Sequence, residues 1–304
     1  MKVKIINNPS SGTQTLQKNL EIIVGRLILD NTLKEVDKVD TTIDFDYSSE
    51  VSKMKDENYD LLIIVGGDGT VNNVINAVAK NNIDVPLLIL PAGTVNDLGK
   101  YLNLPTSIEG VCSIIRNNTV KEIDLCKVND KYFINVAASG LLADIAIKTP
   151  VKSKTAFGSF AYYAQGIKEV PKQLFETLKF RFECDNEVLE TEALLFLVLN
   201  SKSAGGFTNF APKADIDDGL FDVCIIKKSY PLNTAGVFLK IFSGEHINDP
   251  NVVYLQTDNL KVDCLNKENL LIDVDGENGG TFPATFEIKK RALKVIVGCN
   301  DKEA

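Results

Sequence analysis

The sequence has no tryptophan, only one histidine and no C-x-x-C pair, and each absence narrows what the protein can be. The single histidine, His246, lies in a polar loop without a second histidine to share a ligand, so we predict that it is a surface residue. Scattered cysteines inside apolar runs are typical of buried, reduced thiols in a cytosolic protein rather than of a disulfide framework or a zinc site. The six cysteines are Cys112, Cys126, Cys184, Cys224, Cys264 and Cys299.

Long apolar runs and an excess of positive charge are missing too. No run reaches the length of a membrane span, and Met1–Asn7 is too short and too strand-like for a signal peptide, so we expect a cytoplasmic protein. With 33 Lys and Arg against 41 Asp and Glu, the net charge is −8. This charge argues against nucleic acid as a partner and against a general affinity for anionic membranes. Walker A, G-x-S-x-G and Rossmann G-x-G-x-x-G motifs are also absent from the sequence.

Two different patterns follow one another along the 304 residues. The first third alternates strand and helix patterns, which predicts an α/β nucleotide-binding domain over residues 1–122, with a parallel sheet flanked by helices. Its predicted elements are Val3–Asn7, Leu16–Leu29, Asp60–Val65, Thr70–Lys80, Pro86–Leu90 and Ser107–Arg116.

From about Val120 the pattern changes to successive β-like runs, which predicts a β-rich sandwich domain over residues 123–290. Two predicted helices, Phe157–Val170 and Leu232–Phe242, interrupt these runs. A last strand within residues 291–298 fits either domain. The predicted strands are Val120–Val128, Tyr132–Ala138, Thr177–Cys184, Thr191–Leu199, Leu220–Lys227, Asn259–Cys264, Leu270–Val274, Ala284–Ile288 and Leu293–Val297.

The segment Gly66–Thr70 follows the apolar run Leu61–Val65, which is typical of a buried parallel strand, and precedes a helical pattern. Three glycines in this turn let the backbone approach a ligand, and the N–H groups and dipole of a helix start favour an anion. The carboxylate of Asp68 would be repelled by phosphates unless a divalent cation lies between them or the acid has a chemical role. The turn therefore indicates nucleotide, metal and phosphoryl transfer, with a plain strand-to-helix turn as the alternative.

Similar loops follow the first and the third predicted strands. Asn8–Gly12 offers hydroxyls, a glycine and free N–H groups for a phosphate, and its alternative is a turn with a serine helix cap. Pro91–Asp97 again ends a strand with a glycine, a hydroxyl and an acid, and its alternative is also a turn and cap. Because ligands bind where the carboxyl ends of parallel strands share one edge, the three loops together favour a nucleotide site more strongly than each does alone.

Two acidic segments lie in the predicted β domain. Pro212–Phe221 concentrates carboxylates and turn carbonyls, which either form an acidic turn or hold a hard cation such as Mg²⁺ or Ca²⁺ through oxygen. In Asp273–Gly280, strand alternation places Asp273 and Asp275 on one face, and Glu277 follows at a glycine turn. Such a carboxylate either takes the proton of an attacking hydroxyl or belongs to an exposed acidic hairpin.

A basic and aromatic zone stands out in this acidic chain. Its lysines cluster around Phe157–Tyr163, a composition that suits contact with a lipid surface and equally suits a solvated helix face with an apolar underside. The lysines of this zone are Lys148, Lys152, Lys154, Lys168 and Lys172.

Taken together, these motifs resemble those of the bacterial soluble diacylglycerol kinase-like lipid kinases, which share a catalytic domain with eukaryotic diacylglycerol and sphingosine kinases. Five motifs occur in the family's order, and Gly158–Tyr163 matches as well, so the resemblance spans nearly the whole chain. Gly-Gly-Asp-Gly is shared with NAD kinases, whereas the third and fifth motifs are more specific. The five motifs are Asn-Pro-x-Ser-Gly, Gly-Gly-Asp-Gly-Thr, Pro-x-Gly-Thr-x-Asn-Asp, Pro-x-Ala-x-x-Asp-Asp-Gly and Asp-Gly-Glu.

The resemblance implies an NAD kinase-like catalytic domain, with ATP lying between the two domains. It implies that Asp68 orients a catalytic Mg²⁺, with Asp97 in the same network, and that Lys100 suits a phosphate contact. Glu277 or Asp275 would be the general base, with Glu277 favoured and Asp275 supporting it. The implied nucleotide-binding residues are Asn8, Ser10, Ser11, Gly12, Thr41, Gly66, Gly67, Asp68, Gly69, Thr70, Val71, Asn72, Thr94 and Asp97. The implied ligands of a second, structural Mg²⁺ are the side chain of Asp218 and the carbonyls of Asp215 and Leu220.

On this resemblance we expect an ATP- and Mg²⁺-dependent lipid kinase that phosphorylates a lipid hydroxyl, converting diacylglycerol to phosphatidic acid. Its partner would be a lipid substrate at the membrane surface, reached transiently from the cytoplasm at the inner face through the lysine zone. A homodimer fits the family. The alternatives are a kinase of another lipid or of a soluble substrate, of the NAD kinase type, and a nucleotide-binding regulator without catalysis.

Overall fold

A computed structural model describes residues 1–12, 15–93, 96–140, 177–185 and 187–298. The predicted helix Phe157–Val170, the lysine zone and Thr94 lie outside these residues. The chain divides into two compact units. Unit 1 comprises Met1–Ile123 and Arg291–Ala304, and unit 2 comprises Asp124–Lys290.

A parallel sheet forms the centre of unit 1. Its third strand lies in the middle and is buried along its whole length, as expected for an apolar run covered on both faces. The parallel strands of unit 1 lie side by side in this order: the last strand of the chain, then the fourth, the third, the first and the second strand along the chain. In that last strand, Val295 lies beside Leu87. The first four strands are β1 (Lys2–Asn7), β2 (Glu35–Asp40), β3 (Leu61–Gly66) and β4 (Leu87–Pro91).

Five helices accompany this sheet, and their ends follow local capping rules. Asp46 accepts a hydrogen bond from the N–H of Ser49 at one helix start, and Ser107 accepts one from Gly110 at another. Asn82 and Asn118 end two helices in the left-handed region that asparagine tolerates. The helices are α1 (Thr15–Leu29), α2 (Tyr47–Ser52, followed by a 3₁₀ turn over Lys53–Asp56), α3 (Asp68–Asn81), α4 (Asp97–Tyr101) and α5 (Ile108–Asn117).

Unit 2 consists mainly of antiparallel strands. The remaining strands of the chain are β5 (Val120–Val128), β6 (Lys131–Phe133), β7 (Val136–Gly140), β8 (Leu178–Cys184), β9 (Glu187–Leu199), β10 (Phe221–Lys227), β11 (Val252–Thr257), β12 (Asn259–Cys264), β13 (Leu271–Val274), β14 (Glu277–Thr281) and β15 (Ala284–Ile296). Their order is β14–β13–β7–β9–β8–β12–β15, while β10 pairs with β9 and β11, and β5 pairs with β6.

Two apolar cores stabilise unit 2. The first is rich in phenylalanine, and its rings meet largely edge to face, the geometry that aromatic pairs prefer. The second lies beneath helix α6 (Pro231–Ile241) and the 3₁₀ turn Glu245–Asn248, where Val237 and Ile241 pack among residues of β9 and β10. Within the part of the chain that the structure describes, no helix is both long and apolar enough to span a bilayer.

The predicted fold class is confirmed, and the errors are local. The predicted strand Tyr132–Ala138 is split into β6 and β7. The segments predicted as two strands, Ala284–Ile288 and Leu293–Val297, belong to one strand, β15. The charged run between them hides this continuity in the sequence. Elements α2, α4, β2, β11 and β14 were not predicted. Helices α2 and α4 are short, and strands β2 and β14 consist mainly of polar residues and glycine.

The prediction that His246 is a surface residue is wrong. The side chain is fully buried, its Nε2 lies 2.9 Å from the carbonyl oxygen of Phe210, and its ring meets the Phe210 ring edge to face at 5.4 Å. Burial lowers the pKa of this imidazole, which favours the neutral form. Among the described cysteines, Cys112, Cys126 and Cys224 are free and buried, whereas the free Cys184 and Cys264 are half-buried.

Asp222 on β10 is a buried carboxyl whose charge reduces the stability of the fold. It accepts hydrogen bonds from the hydroxyl of Tyr254 and, at 3.4 Å, from Nε2 of Gln256. Burial raises its pKa to about 6 against the opposing effect of these two donors. Because the folded state holds this proton more tightly than the unfolded state, the contribution of the Asp222 carboxyl to stability is fully present below pH 3.8 and is lost as the pH rises through about 6.

We therefore expect Asp222→Asn to increase the free energy of unfolding by about 2 kcal/mol at pH 7.5 and to give little change near pH 4. Urea unfolding at both pH values measures this difference. Asp130→Asn, at an exposed site, is the matched control and should change stability equally little at both. A gain from Asp222→Asn that is the same at both pH values would contradict the interpretation.

Candidate functional site

The carboxyl ends of β1, β3 and β4 hold the three predicted loops side by side. Hydrogen bonds continue past the strand ends, from the N–H of Asn8 to the carbonyl of Val65 at 2.8 Å and from the N–H of Ala92 to the carbonyl of Gly66 at 2.9 Å. Parallel strands place their carboxyl ends at one edge, which explains why distant segments of the sequence meet here.

Glycines allow these loops to pack backbone against backbone. A Cβ added to Gly12, whose φ is +50°, would lie 2.0 Å from the carbonyl oxygen of Ala92. A Cβ added to Gly93 would lie 2.6 Å from the Cα of Gly67. Only glycine fits at both positions, so the loops leave backbone N–H groups close together with no side chains between them.

Asn8 holds the first loop against the start of α3. Its Nδ2 donates to the hydroxyl oxygen of Thr70 at 2.9 Å, while its Oδ1 accepts from the N–H of Ser10 at 3.1 Å and from the Ser10 hydroxyl at 2.9 Å. Gln17 adds hydrogen bonds to the carbonyls of Asn8 and Ser11 at 3.3 and 3.1 Å. The amide of Asn8 therefore fixes the shape of the loop.

Asp68 joins the second loop to the third. Its carboxylate accepts the N–H of Asn96 at 3.0 Å and the N–H of Asp97 at 3.2 Å, at the start of α4. Burial raises the pKa of this carboxyl, while the two backbone donors and the charge of Lys100 act in the opposite direction. Asp68 is also the first residue of α3, and the preceding Gly67 offers no side chain to cap the N–H groups of that helix.

The third loop is held in shape by Asn96, a residue that sequence reasoning did not select. Asn96 has a φ of +52°, and its side chain accepts the N–H of Gly93 and donates to the carbonyl of Gly93, each at 2.8 Å. Asp97, predicted to belong to the site, is buried beside it, and Lys100 is exposed on the same short helix. Asparagine adopts a positive φ more readily than most residues, so the presence of an asparagine in this loop was the signal available in the sequence.

The remaining predicted nucleotide residues lie on β2 and α3. Thr41 follows β2, is buried, and donates its N–H to the carbonyl of Asn7 at 2.8 Å. Asn7 in turn donates to Asp40 at 2.7 Å. Asn72 is buried within α3, where its Oδ1 accepts from Asn76 at 3.0 Å. The edge of the sheet that holds the three loops thus extends to the end of β2.

Asp275 in unit 2 is fixed by backbone donors. Its Oδ2 accepts the N–H of Ile134 at 2.9 Å, and its Oδ1 accepts those of Asn135 at 3.2 Å and Val136 at 2.9 Å. The prediction that Asp273 and Asp275 share a strand face is wrong, because β13 ends at Val274 and Asp275 lies in the turn with a φ of +49°. A two-residue Asp-Gly turn of this kind requires left-handed backbone, which overrides strand alternation.

Glu277 lies directly after this turn as the first residue of β14, opposite Val274. Its side chain is exposed, in contrast to Asp275. The hydrogen bonds of Asp275 hold the turn, and the turn determines where Glu277 begins its strand. Asp275 therefore fixes the turn at which β14 begins, and the carboxylate of Glu277 is exposed to solvent.

The acidic loop before β10 forms a separate arrangement. The Oδ1 of Asp218 accepts the N–H of Leu220 at 2.8 Å. The residue is exposed, but partial desolvation of its carboxyl, together with the nearby charges of Asp215, Asp124 and Asp217, raises the pKa of Asp218. Asp124, which carried no motif, is fully buried, and its carboxylate accepts the N–H of Gly219 at 2.7 Å. No group of three or more His, Cys, Asp or Glu side chains among the described residues is arranged to hold a metal.

Comparisons with known proteins agree along the whole chain. Residues 2–128 match the diacylglycerol kinase catalytic domain, and residues 135–297 match the YegS C-terminal NAD kinase beta sandwich-like domain. A diacylglycerol kinase from Staphylococcus haemolyticus (strain JCSC1435) is 35% identical over 300 residues, covering 99% of this chain and 88% of the relative. A diacylglycerol kinase from Staphylococcus saprophyticus subsp. saprophyticus is 35% identical over 295 residues, covering 97% of this chain and 95% of the relative.

Solved structures agree with the sequence comparison. A diacylglycerol kinase from Bacillus anthracis str. Sterne superposes with a TM-score of 0.79 and 26% sequence identity, covering 98% of this chain and 97% of that one. The two domain matches follow one another in the order of the two patterns seen in the sequence. The chain belongs to the diacylglycerol kinase family, with a diacylglycerol kinase catalytic domain followed by an NAD kinase-like β-sandwich domain.

Proposed function

We propose that this protein is an ATP-dependent lipid kinase that phosphorylates the hydroxyl of diacylglycerol to give phosphatidic acid. The observation that carries the proposal is the meeting of three glycine loops around the start of α3, with Asp68 at its first position. Backbone N–H groups and the helix dipole suit phosphates, and phosphoryl transfer depends on positioning and charge neutralisation.

The nucleotide phosphates are assigned to the loops of unit 1. Loop residues supply N–H groups and hydroxyls, and Asp68 orients a catalytic Mg²⁺ that offsets the charge of its carboxylate. A carboxylate has about four lone-pair sites, so the two backbone donors to Asp68 leave sites for the ion or its waters. When bound, Mg²⁺ neutralises charge that develops on the transferred phosphoryl group. The assigned residues are Asn8, Ser10, Ser11, Gly12, Thr41, Gly66, Gly67, Gly69, Thr70, Val71, Asn72, Thr94 and Asp97.

We assign to Glu277 the role of the general base that takes the proton of the lipid hydroxyl. A general base must reach its substrate with a free lone pair, and the exposed side chain of Glu277 meets that requirement. Protonation of Asp275 would instead disrupt charge-assisted hydrogen bonds to three backbone N–H groups. Asp275 therefore acts by holding the turn that presents Glu277.

A second Mg²⁺ is assigned to the acidic loop before β10, with the carboxylate of Asp218 and the carbonyls of Asp215 and Leu220 as ligands. The raised pKa of Asp218, an exposed residue whose carboxyl is partly desolvated and has three neighbouring carboxylates, is the supporting observation, because a divalent cation would neutralise this excess negative charge. Oxygen ligands from a loop are also what Mg²⁺ and Ca²⁺ select.

Saturating Mg²⁺ is expected to raise the melting temperature by a few degrees, since an ion at about ten times its dissociation constant adds about 1.4 kcal/mol. Asp218→Asn should remove most of this shift. Asp217→Asn, at an acidic neighbour outside the assigned ligand set, should preserve it. Equal shifts in wild type and Asp218→Asn would contradict the site. Thermal unfolding with and without the ion measures both.

The substrate is identified by ADP release with diacylglycerol, sphingosine and phosphatidylglycerol in mixed micelles and with NAD in solution. We expect turnover with diacylglycerol and formation of phosphatidic acid. Turnover with NAD alone would favour the soluble-substrate kinase, and ATP binding without turnover on any substrate would favour the regulator. We also propose that the enzyme contacts the inner face of the membrane transiently, since diacylglycerol is held in the bilayer.

A further inference from the structure

Helix α6 in unit 2 exposes several large apolar side chains that the proposed phosphoryl transfer does not use. We call the group the α6 surface. Its members and their exposed fractions are Tyr230 at 81%, Leu232 at 87%, Leu239 at 70% and Phe242 at 57%. Helix α1 exposes Ile22, Ile28 and Leu29, and the other exposed apolar residues of the described chain lie on separate elements, whereas these four belong to one helix and its ends.

The helix is apolar on two opposite sides. Val237 and Ile241 are buried and pack into the second core of unit 2. Leu232 and Leu239 are seven residues apart and therefore share the other side, which faces away from that core. A surface helix of a globular protein usually carries polar residues on its outer side. A second apolar side indicates an apolar surrounding that the core does not provide.

The charge around α6 is opposite in sign to that of the whole chain. Residues 227–244 contain Lys227, Lys228 and Lys240 and no Asp or Glu, in a protein with a net charge of −8. Lys240 forms an ion pair with Asp249 at 2.7 Å and remains partly exposed. Glu245 and Asp249 are the carboxylates that follow this segment, and Asp249 pairs with Lys240. An apolar outer side flanked by lysines is the composition of helices that lie in the interface of an anionic bilayer.

We propose that the α6 surface inserts into the headgroup region of an anionic bilayer and docks the enzyme where its substrate lies. The proposal rests on the proposed function, since a diacylglycerol kinase has to reach a lipid held in a membrane. Tyr230, at the start of the helix, is a residue type enriched at the membrane–water interface. The apolar side chains would enter the bilayer surface while the lysines contact lipid phosphates.

A second copy of the chain is the competing occupant, and the size of the surface argues against it. A helix of 11 residues is about 16 Å long. A stable protein interface buries about 800 Å² on each partner, far more than one side of such a helix provides. Insertion into a bilayer has no such threshold, because each buried apolar side chain contributes separately.

The test is sedimentation of the full-length protein with vesicles of equal parts phosphatidylcholine and phosphatidylglycerol, without ATP. We expect Leu232→Gln/Leu239→Gln to reduce the vesicle partition coefficient about 10- to 100-fold, since it removes two inserted leucines. The matched control, Leu29→Gln/Leu265→Gln, replaces two exposed leucines elsewhere and should bind as wild type does. The single variant Leu232→Gln should show an intermediate loss.

Activity separates docking from chemistry. With a short-chain diacylglycerol dissolved as monomers, the α6 variant should keep wild-type kcat/KM, whereas with vesicle substrate its kcat/KM should fall in parallel with binding. Unchanged vesicle binding by the double variant, or equal loss in the control, would overturn the proposal. So would a wild-type dimer that dissociates in the variant while vesicle binding persists. Absence of turnover by wild type with soluble diacylglycerol would refute the proposed function, and vesicle sedimentation would still test membrane binding by the α6 surface.

Discussion

Replacing Asp68 by asparagine is expected to lower kcat by at least about 10³-fold, because on our assignment the substitution removes the charge that would orient a catalytic cation. The change in shape is small. The amide oxygen of asparagine can still accept one of the two N–H groups, from Asn96 or Asp97, that Asp68 accepts now. Burial already raises the pKa of this carboxyl, so a neutral side chain is tolerated at the site by the fold itself.

The measurement is steady-state turnover of diacylglycerol in mixed micelles, together with the melting temperature and ATP binding with and without Mg²⁺. We expect the melting temperature to change by only a few degrees, and Mg²⁺ to strengthen ATP binding less than in wild type. Asp56→Asn, at an exposed aspartate of the same unit, is the control and should leave kcat unchanged. Wild-type turnover by Asp68→Asn would refute the assignment of this residue to the metal.

The meeting of the three glycine loops at one edge of the sheet could be predicted because its physics is local. A buried apolar strand followed by glycines and a helix start identifies the turn at Asp68, and parallel topology brings the three such loops to one edge. The side chains that fix the loops were harder to predict. Asn96 closes a clamp on Gly93, and Asn8 reaches Thr70 across 62 residues of sequence, contacts that no periodic pattern reveals.

The errors arise where tertiary contacts override composition. His246 lies among polar residues in sequence, yet it is buried because its Nε2 pairs with the Phe210 carbonyl beneath α6. Asp124 lies in a strand pattern with no motif, and its buried carboxylate accepts the N–H of Gly219, which is distant in the sequence. Asp275 was assigned to a strand face, and the left-handed turn places it elsewhere. In each case a partner distant in sequence decides the environment.

Replacing Glu277 by glutamine is expected to lower kcat by about 10²- to 10⁴-fold, the usual contribution of a general base. Glutamine keeps the size of the side chain and loses the proton acceptor. Because the residue is exposed at the start of β14, the stability of the protein should stay within about 0.5 kcal/mol of wild type. ATP affinity should be unchanged, since we assign the residue to the acceptor hydroxyl rather than to the nucleotide.

Asp275→Asn is the comparison that separates the two acids. It replaces an oxygen that accepts backbone N–H groups with an amide donor, so we expect a loss of stability of about 1–3 kcal/mol, in contrast to Glu277→Gln. Its kcat should fall through displacement of the turn, and Glu277→Asp should recover part of the activity that Glu277→Gln loses. Normal kcat in Glu277→Gln, with complete loss in a fully stable Asp275→Asn, would reverse the assignment. Phosphatidic acid formation and urea unfolding, measured on the same preparations, decide between the two assignments. Replacing the general base should lower only the rate of phosphatidic acid formation, whereas replacing the positioning residue should lower both that rate and the stability.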